Sequence, residues 1–323
     1  MKFKKSYFEN SYCKNAYNSA QIEGNKLSAV VFEKIIFHFD EKEIWSEIYK
    51  DYSVDYNPIL AKWYEEAWGF KRSYSLLYKT IQNNSHDRLD KNLIKEFHLI
   101  LMELVSNFEK ENKGNFRKAN VHISNTCVKN SFPEYIEKDL ETVIDIFYEM
   151  RKKVKDLESK IQALAFLHCG FEIIHPFADG NGRVGRMILT LEALKMGLPP
   201  ISIDFKNRIL YYLALQKSSG TSNPISNSVI ERINIDNLIT MQSLLYKSIR
   251  KELKLNEDSD DEKGYMEFKK VEPHDFKKEN WEILDKKYNQ YILDESIAIL
   301  DFKKVVKKMR EEWTKKYGYT FKD

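Results

Sequence analysis

Apolar residues recur three and four positions apart along most of this chain, the spacing that places side chains on one face of an α-helix. One such run comprises Leu93, Phe97, Ile100, Leu101 and Leu104. Strong helix breakers are scarce in residues 1–113, so we predict several long helices there. Further helices are predicted at 134–155, 157–174, 183–196, 205–218 and 228–254.

Residues 114–133 depart from the helical pattern. Val121 and Ile123 alternate with polar residues, turn-forming residues surround them, and Pro133 closes the segment. This alternation predicts a short β-hairpin or an extended flap. After the last predicted helix, the acidic run NEDSDDEKG at 256–264 predicts a solvated linker. The charged residues beyond it predict a small helical C-terminal appendage, to which we assign no role.

The composition also favours a mainly α fold. The 323 residues include 11 Gly and 7 Pro, against roughly 23 and 16 at average usage. This scarcity excludes collagen-like, linker-rich and turn-dense all-β chains. The hydrophobic content of 42% is ample for a packed core, and the formal net charge of +3 gives no basic footprint for nucleic acid.

The chain carries no pattern typical of export or membrane insertion. Cys13, Cys127 and Cys169 are far apart, without the spacing of a zinc site or a disulfide framework. The first residues include lysines but no apolar stretch of a secretory signal, and no apolar run reaches the roughly 18 residues of a membrane span. We therefore expect a cytoplasmic protein with no membrane partner.

Residues 175–186, with the sequence HPFADGNGRVGR, concentrate the chemistry of the chain. The glycine-rich residues 180–182 can turn successive backbone N–H groups to one side and form an anion nest. This nest opens a predicted helix, whose N-terminus itself favours anions. Arg183 and Arg186 are three residues apart on that helix and can bind two phosphates.

Two further side chains complete this set. Asp179 precedes the nest and suits Mg²⁺, a hard cation that takes few carboxylates and shares phosphate oxygens. His175 stands at the start of the segment, and a neutral imidazole can accept a proton near pH 7. A phosphate clamp, a metal ligand and a base together indicate attack by a hydroxyl on a nucleotide phosphate.

A dinucleotide-binding site is the first alternative for this segment. Gly180, Gly182 and Gly185 match the GxGxxG fingerprint, and Asp204 lies at a suitable distance downstream. That site requires a hydrophobic strand running into the first glycine, whereas the residues here are helical and then broken by Pro176. The sequence contains no GxxxxGK(S/T) phosphate loop either.

A metal face is the second alternative. His168, Glu172 and His175 lie at i, i+4 and i+7 of one predicted helix. A second set of ligands is not visible, and His175 is better explained as the base. We expect His168 to be a packed helix histidine.

The segment HPFADGNGRVGR matches the motif HxFx(D/E)GNGRxxR without departure, and the chain in this way resembles the Fic family. The resemblance extends from about Ser19 to about residue 250. GNFRKANVHIS at 114–124 resembles the arginine-containing lead into the family's flap, and GLPPISIDFKNRILYYLAL at 197–215 resembles the segment closing its adenine pocket. The implied fold is a Fic-like helical bundle with a short β-hairpin flap.

The resemblance also implies a division of the chain. Residues 1–113 form an N-terminal helical region with an inhibitory helix at about 15–28. Residues 114–254 form the catalytic core with the flap at 114–133. Residues 255–323 form the acidic linker and the C-terminal extension.

By resemblance, the motif residues have defined roles. His175 is the general base that deprotonates a target hydroxyl, and Asp179 holds Mg²⁺ between the α- and β-phosphates. The backbone of Gly180, Asn181 and Gly182 is the anion hole, where Asn181 fixes the α-phosphate. Arg183 binds the β-phosphate and Arg186 the γ-phosphate.

Residues outside the motif contribute in the same way. The flap residues that lie over the nucleotide and align a target chain by strand addition are Ile123, Ser124, Asn125 and Thr126. Tyr211 and Tyr212 match the paired tyrosines near the adenine. Ser219 falls where some relatives carry an asparagine that bonds the base.

The implied reaction transfers AMP from ATP, with Mg²⁺, to a Ser, Thr or Tyr hydroxyl of a protein and releases pyrophosphate. Relatives that phosphorylate instead carry lysine at the position of Gly182, so the intact Gly182 and Arg183 favour adenylylation. The motif leaves open the transfer of UMP or phosphocholine, and the removal of AMP. An alternative of another class is a non-catalytic helical adaptor, which would have no reason to keep this set of residues.

The segment SAQIEG at 19–24 resembles the family's inhibitory motif, (S/T)xxxE(G/N). Ser19 and Glu23 are spaced i, i+4 and share one face of a helix; Gly24 follows them. We expect Glu23 to pair with Arg186, to remove the partner of the γ-phosphate and to misalign the α-phosphate. The expected partners are ATP, a protein target of unknown identity, the protein itself through self-modification, and a second copy in a homodimer.

Overall fold

The structure is a computed structural model of the chain. It describes residues 5–40, 42–43, 46, 58–82, 87–121, 123, 126, 128–219, 229–257 and 283–288. No helix in these ranges is both long and apolar enough to cross a membrane.

The described residues are mainly helical. The helices are α1 (Lys5–Ile22), α2 (Ala29–Phe37), α3 (Pro58–Gln82), α4 (Lys91–Met102), α5 (Ile136–Lys153), α6 (Leu157–Ile174), α7 (Asn181–Lys195), α8 (Arg208–Ser218), α9 (Val229–Arg232) and α10 (Ile239–Glu257). Single 3₁₀ turns lie at Lys110–Asn112, Pro133–Tyr135, Phe205–Asn207 and Ile235–Leu238. The predicted mainly α fold is confirmed.

Helix α6 is the centre of the molecule, and almost all of its residues are buried. Asp156 begins it with a capping box, because its carboxylate accepts from the backbone of Ser159 while the Ser159 hydroxyl accepts from the backbone of Asp156. Helices α5, α7 and α10 pack against α6 and cover its apolar surface. A helix buried on all sides has a continuous run of apolar residues, as 163–167 shows.

Helix α3 brings the N-terminal region onto this core. It packs against α1, α2, α4 and α7. Gly69 permits the closest approach, because a Cβ at this position would run into the backbone carbonyl of Leu101 on α4. The described helices of the N-terminal region and of the core therefore share one hydrophobic core.

One sequence expectation differs from the described structure, and two others are only partly covered by the described residues. The segment 228–254 is two helices, α9 and α10, separated by the 3₁₀ turn Ile235–Leu238. The expected hairpin is not confirmed: the described residues of 114–133 form no strand up to the 3₁₀ turn that begins at Pro133, and residues 122, 124, 125 and 127 lie outside the described residues. Of the predicted linker and extension at 255–323, residues 255–257 end α10, residues 283–288 form a helical segment, and the remainder lies outside the described residues.

Candidate active site

The loop between α6 and α7 and the first turns of α7 carry the chemical groups of residues 175–186. Helix α6 ends at His175, whose φ of 53° and ψ of 63° put a non-glycine residue in the left-handed region. Gly180, with φ of 82°, begins α7 from the same region. A left-handed non-glycine residue is uncommon and must be held by its surroundings, which makes this turn a candidate functional site.

Two aromatic rings hold this loop in the core. The rings of Phe177 and His98 stack with centroids 3.8 Å apart and an interplanar angle of 1°. His98 Nδ1 accepts from the Gly114 backbone N–H at 2.9 Å, so the imidazole carries its proton on Nε2, which lies 3.0 Å from the Asp179 carbonyl oxygen. Burial lowers the pKa of His98 to about 4, so the ring is neutral. Its stacking on Phe177 and its contact with the Asp179 carbonyl hold the loop against α4.

Arg117 holds the other side of the loop. Its buried guanidinium donates to the carbonyls of His175 at 2.7 Å, Ile174 at 3.2 Å and Ala119 at 2.8 Å, and to that of Ser131. It thereby satisfies carbonyls that the end of α6 leaves without helical partners. Burial lowers the pKa of Arg117 to about 10. This side chain ties the end of α6 to both ends of the expected flap.

Arg183 on α7 lies in a cluster of carboxylates. It donates to Glu66 at 2.9 Å and to Asp179 at 3.1 Å. Burial opposes the charge of Arg183, but these two carboxylates outweigh it and raise its pKa. The Asp179 side chain is 46% exposed, and Lys62 lies 3.8 Å from it. Burial alone would raise the pKa of Asp179, but Arg183 and Lys62 lower it, so the carboxylate is ionised.

Arg186 on α7 contacts the end of α1. Its Nη2 donates to Glu23 Oε1 at 2.6 Å and to the Ser19 carbonyl at 3.1 Å, while its Nε donates to the Ser19 hydroxyl at 2.8 Å. Its Nη1 donates to the Tyr211 hydroxyl at 3.2 Å. Glu23, which we expected to pair with Arg186, and Ser19 of the same SAQIEG segment both bind it.

Gly24 sets the position of Glu23. The Gly24 N–H donates to the Gln21 carbonyl and the Asn25 N–H to the Ala20 carbonyl, each at 3.1 Å, and Gly24 has φ of 93°. This pair of bonds is the Schellman ending of a helix, with glycine at the left-handed position. Glu23 is thereby the last residue before the turn, and its carboxylate lies against Gly182, where a Cβ would overlap Glu23 Oε1.

The remaining predicted site residues fall in two groups. Tyr211 is buried, and its hydroxyl lies 3.0 Å from His168 Nε2, while the Tyr212 hydroxyl donates to the Ile22 carbonyl at 3.2 Å. Both tyrosines therefore contact the neighbourhood of Arg186. Of the flap residues, Ile123 is buried and its carbonyl accepts from Thr126, whereas Ser124 and Asn125 lie outside the described residues.

His175 lies within this ring of charged groups. Its side chain is 15% exposed, and burial lowers its pKa to about 4, with Glu23 opposing and Arg117 reinforcing that shift. The imidazole is therefore neutral at pH 7. A neutral imidazole can take a proton from a hydroxyl, and the two arginines and the N-terminus of α7 can bind phosphates beside it.

Sequence reasoning missed Glu66 and His98. Glu66 lies 117 residues from Arg183, and no local pattern indicates such a pair. His98 did carry a signal, since it lies four residues after Ile94 and three before Leu101 on the apolar face of α4. A polar residue on such a face needs a buried partner, which here is the loop.

Comparison with known proteins gives the site a context. The model of the Fic/DOC family matches residues 88–193. The protein adenylyltransferase fic-1 of Caenorhabditis elegans is 26% identical over 152 residues, which cover 47% of this chain and 28% of that protein. The protein adenylyltransferase Fic of Nematostella vectensis is 26% identical over 215 residues, 67% of this chain and 45% of that protein. The chain thus spans less than half the length of these curated relatives.

Comparison with solved structures shows that the fold is that of Fic domain proteins. The crystal structure of a Fic domain containing signaling protein from Bacteroides thetaiotaomicron superposes with a TM-score of 0.61 and 19% sequence identity, covering 78% of this chain and 87% of that one. At 19% identity this likeness concerns the fold alone. Residues 88–193, which include the loop 175–186, are therefore the part of this chain that matches the Fic/DOC family.

Proposed function

We propose that this protein transfers AMP from ATP to a hydroxyl side chain of a target protein. One observation carries the proposal: a neutral, partly buried His175 and two buried arginines lie at the glycine-rich N-terminus of α7. The names of the relatives, protein adenylyltransferases, support the same reaction class. Each part of the site has a task in this reaction that follows from its chemistry.

His175 acts as the general base. At pH 7 its imidazole carries no proton on one nitrogen, because burial keeps its pKa at about 4. It takes the proton of the target hydroxyl as the oxygen attacks the α-phosphorus and the bond to the β-phosphate breaks. The left-handed backbone of His175, held by Arg117, fixes the direction of attack, and in-line geometry is a large part of catalysis in phosphoryl-group transfer.

The phosphates bind at the N-terminus of α7. Backbone N–H groups of residues 180–182 favour an anion there, and Arg183 and Arg186 add two buried positive charges. Both arginines are already extended toward the loop by their carboxylate partners. Pyrophosphate, the leaving group, is stabilised by the same charges.

Asp179 fits the part of a magnesium ligand. Its carboxylate is ionised and half-exposed, and the described residues contain no cluster of three or more His, Cys, Asp or Glu that would suit a metal held by the protein alone. Mg²⁺ typically takes one or two carboxylates and completes its shell with phosphate oxygens and water. When bound, it would neutralise phosphate charge; Lys62, 3.8 Å from the carboxylate, provides positive charge in its absence.

Glu23 restrains this activity. Its carboxylate accepts a hydrogen bond from Arg186, which would otherwise bind the γ-phosphate. The same carboxylate lies beside Gly182 in the anion hole. ATP must then bind with its phosphates displaced. A displacement of about 1 Å can cost on the order of 100-fold in rate. Replacing Glu23 by glycine therefore releases the activity.

ATP that is labelled on one defined phosphate tests the proposal. The Glu23→Gly protein is incubated with Mg²⁺ and ATP labelled on the α-phosphate or on the γ-phosphate, alone and with a cell lysate. We expect protein labelling from the α-labelled nucleotide, with an added mass of one AMP group on the target or on the protein itself. Labelling from the γ-phosphate, or no labelling from either nucleotide, would contradict AMP transfer.

His175→Ala in the same background is the matched control. It should abolish labelling, yet ATP should still raise its melting temperature, because the phosphate-binding arginines are intact. A His175→Ala protein that labels at the parent rate would remove the assignment of the base. Size-exclusion chromatography of the same samples tests the expected homodimer.

A further inference from the structure

Glu172 is a buried carboxylate that the reaction described above does not use. It lies on α6, one turn before His175, and its residue is 2% exposed. Its Oε1 is buried and without a hydrogen-bond partner among the described residues. An ionisable group is costly to bury, so its position calls for an explanation beyond packing.

The explanation lies in the nitrogen that Glu172 faces. Glu172 Oε2 lies 3.8 Å from His175 Nδ1, and Nδ1 is likewise buried and without a hydrogen-bond partner in the described part of the chain. A buried Nδ1 cannot meet a target hydroxyl, so Nε2 must accept the proton. Nε2 can do so only when the imidazole keeps its own proton on Nδ1. That proton needs an acceptor within the protein.

We propose that Glu172 is a positioning residue for AMP transfer: its carboxylate holds the imidazole proton of His175 on Nδ1 and leaves Nε2 free as the base. The proposal rests on the proposed function. A movement of less than about 1 Å brings the 3.8 Å separation to hydrogen-bond distance. Such tightening on substrate binding is common in active sites.

The backbone of α7 keeps Glu172 in place. A Cβ at Gly185 would overlap Glu172 Oε1, so the carboxylate lies directly against the helix backbone at a position without a side chain. This contact leaves Glu172 little room to turn away from His175. It also explains a glycine in the interior of α7, where alanine would favour the helix by roughly 1 kcal/mol.

The protons and bonds of AMP transfer balance without any further reagent. The proton of the target hydroxyl passes to Nε2, the hydroxyl oxygen bonds to the α-phosphorus, and the bond to the β-phosphate breaks. The imidazole is then a cation with a proton on each nitrogen. An ionised Glu172 beside Nδ1 stabilises that cation, which a buried neutral site would otherwise disfavour.

The charged and titratable groups around this pair set its pH dependence. The groups that act on Glu172 are Arg186 of α7, Tyr211 of α8 and Glu23 beyond α1. The charged groups that act on His175 are Glu23, Arg117 and Asp179, and the backbone of Glu172 also acts on it. Burial raises the pKa of Glu172 to about 8, with Arg186 opposing and Glu23 reinforcing the shift. Below that pH a growing fraction of the carboxyl is protonated and donates to Nδ1. In that fraction the imidazole proton stays on Nε2, where it blocks the base.

Transfer should therefore increase with pH as Glu172 ionises. In the Glu23→Gly background, we expect the rate to rise to a plateau with a midpoint at or below about 8, because loss of the Glu23 carboxylate lowers the pKa of Glu172. Glu172→Gln should lower the plateau rate by about tenfold or more, leave the KM for ATP within about twofold, and remove the rise. An unchanged rate and pH profile in Glu172→Gln would overturn the proposal.

A second measurement does not depend on turnover. Nitrogen-15 chemical shifts of histidine in the full-length chain report which ring nitrogen carries the proton, and His175→Ala assigns the signal. We expect the His175 proton on Nδ1 at pH 9 in the parent protein. A proton on Nε2 at that pH would overturn the proposal, whether or not Glu172→Gln folds.

The two experiments separate the inference from the function on which it rests. If Glu23→Gly transfers no AMP at all, the proposed function fails while the nitrogen signal still reports the Glu172–His175 contact. Glu158→Gln, at the other end of α6, is the matched control, because it removes a glutamate of the same helix far from His175. It should leave both the pH profile and the His175 signal unchanged.

Discussion

The side-chain amide of Asn181 binds both backbone groups of Phe177. Asn181 Oδ1 accepts from the Phe177 N–H, and Asn181 Nδ2 donates to the Phe177 carbonyl, each at 2.8 Å. Asn181 is 2% exposed, so both bonds are shielded from water. The asparagine that we expected at the α-phosphate thus uses its side chain to close the loop between α6 and α7.

Replacing Asn181 by alanine should open this loop. The N–H and the carbonyl of Phe177 then lose their buried hydrogen-bond partners. Each unsatisfied group lowers the free energy of unfolding by about 1–3 kcal/mol. Urea unfolding of Asn181→Ala against the parent measures the loss. Asn181→Asp keeps the hydrogen-bond acceptor and removes the donor, so its free energy of unfolding should lie between those of the parent and of Asn181→Ala. Equal stability of all three proteins would show that the loop does not need the asparagine.

Ser19→Ala should release the proposed restraint in part. Arg186 Nε loses the Ser19 hydroxyl, but Nη2 keeps Glu23 and the Ser19 carbonyl. We expect self-labelling from ATP to rise roughly five- to tenfold, corresponding to about 1 kcal/mol, and less than in Glu23→Gly.

Ser11→Ala is the control for that experiment. Ser11 also lies on α1 and also makes one buried hydrogen bond, but to Glu252 on α10 instead of to Arg186. It should leave labelling at the parent level. Equal activation by Ser11→Ala and Ser19→Ala would attribute the effect to a loosened α1, and not to Arg186.

The buried His168 should make the protein sensitive to acid. Burial and Arg186 lower its pKa to about 3, against 6.5 for the ordinary side chain. From pH 6.5 down to about 3, the unfolded chain therefore binds a proton that the folded chain does not, and stability falls as the pH falls. One proton corresponds to about 1.4 kcal/mol per pH unit.

His168→Gln should reduce this dependence by about one proton between pH 6 and 4. The glutamine can still bond to the Tyr211 hydroxyl, so the fold at pH 7 is expected to survive. The free energy of unfolding, measured in urea at several pH values, gives the slope. His38→Gln, at an exposed position, is the control. The prediction fails if the slope of His168→Gln equals that of the parent.

Arg117→Lys should weaken the end of α6 although it keeps the charge. An ammonium has three donors without the planar fork of the guanidinium, so it cannot reach all four carbonyls that Arg117 serves. We expect a loss of about 1–3 kcal/mol in the free energy of unfolding and a lower rate of AMP transfer. Arg208→Lys, exposed at the start of α8, should change neither.

The loop 175–186 was the easiest part to predict, because its chemistry is local. Glycines, a proline and arginines at fixed spacing specify a turn and a helix start within twelve residues. The pairing of Glu66 with Arg183 is different, since only the packing of α3 on α7 brings them together. The segment 114–133 alternates like a strand, yet its described residues are held by Arg117 and by turns, and tertiary contacts of this kind override a local pattern.

The way α1 is seated constrains how the protein could be switched on. Ala16 and Ala20 are buried, the Tyr12 hydroxyl donates to the Phe70 carbonyl, and the Asn15 side chain bonds to Thr190 on α7. Removing this helix would strip the core that α3 and α7 share with it. Glu23, by contrast, follows the last turn of α1 and has a side chain that is 33% exposed. A partner that displaces only the surface turn at 23–24 would accordingly remove the Glu23 contact with Arg186, while Ser19 and the rest of α1 stay in place.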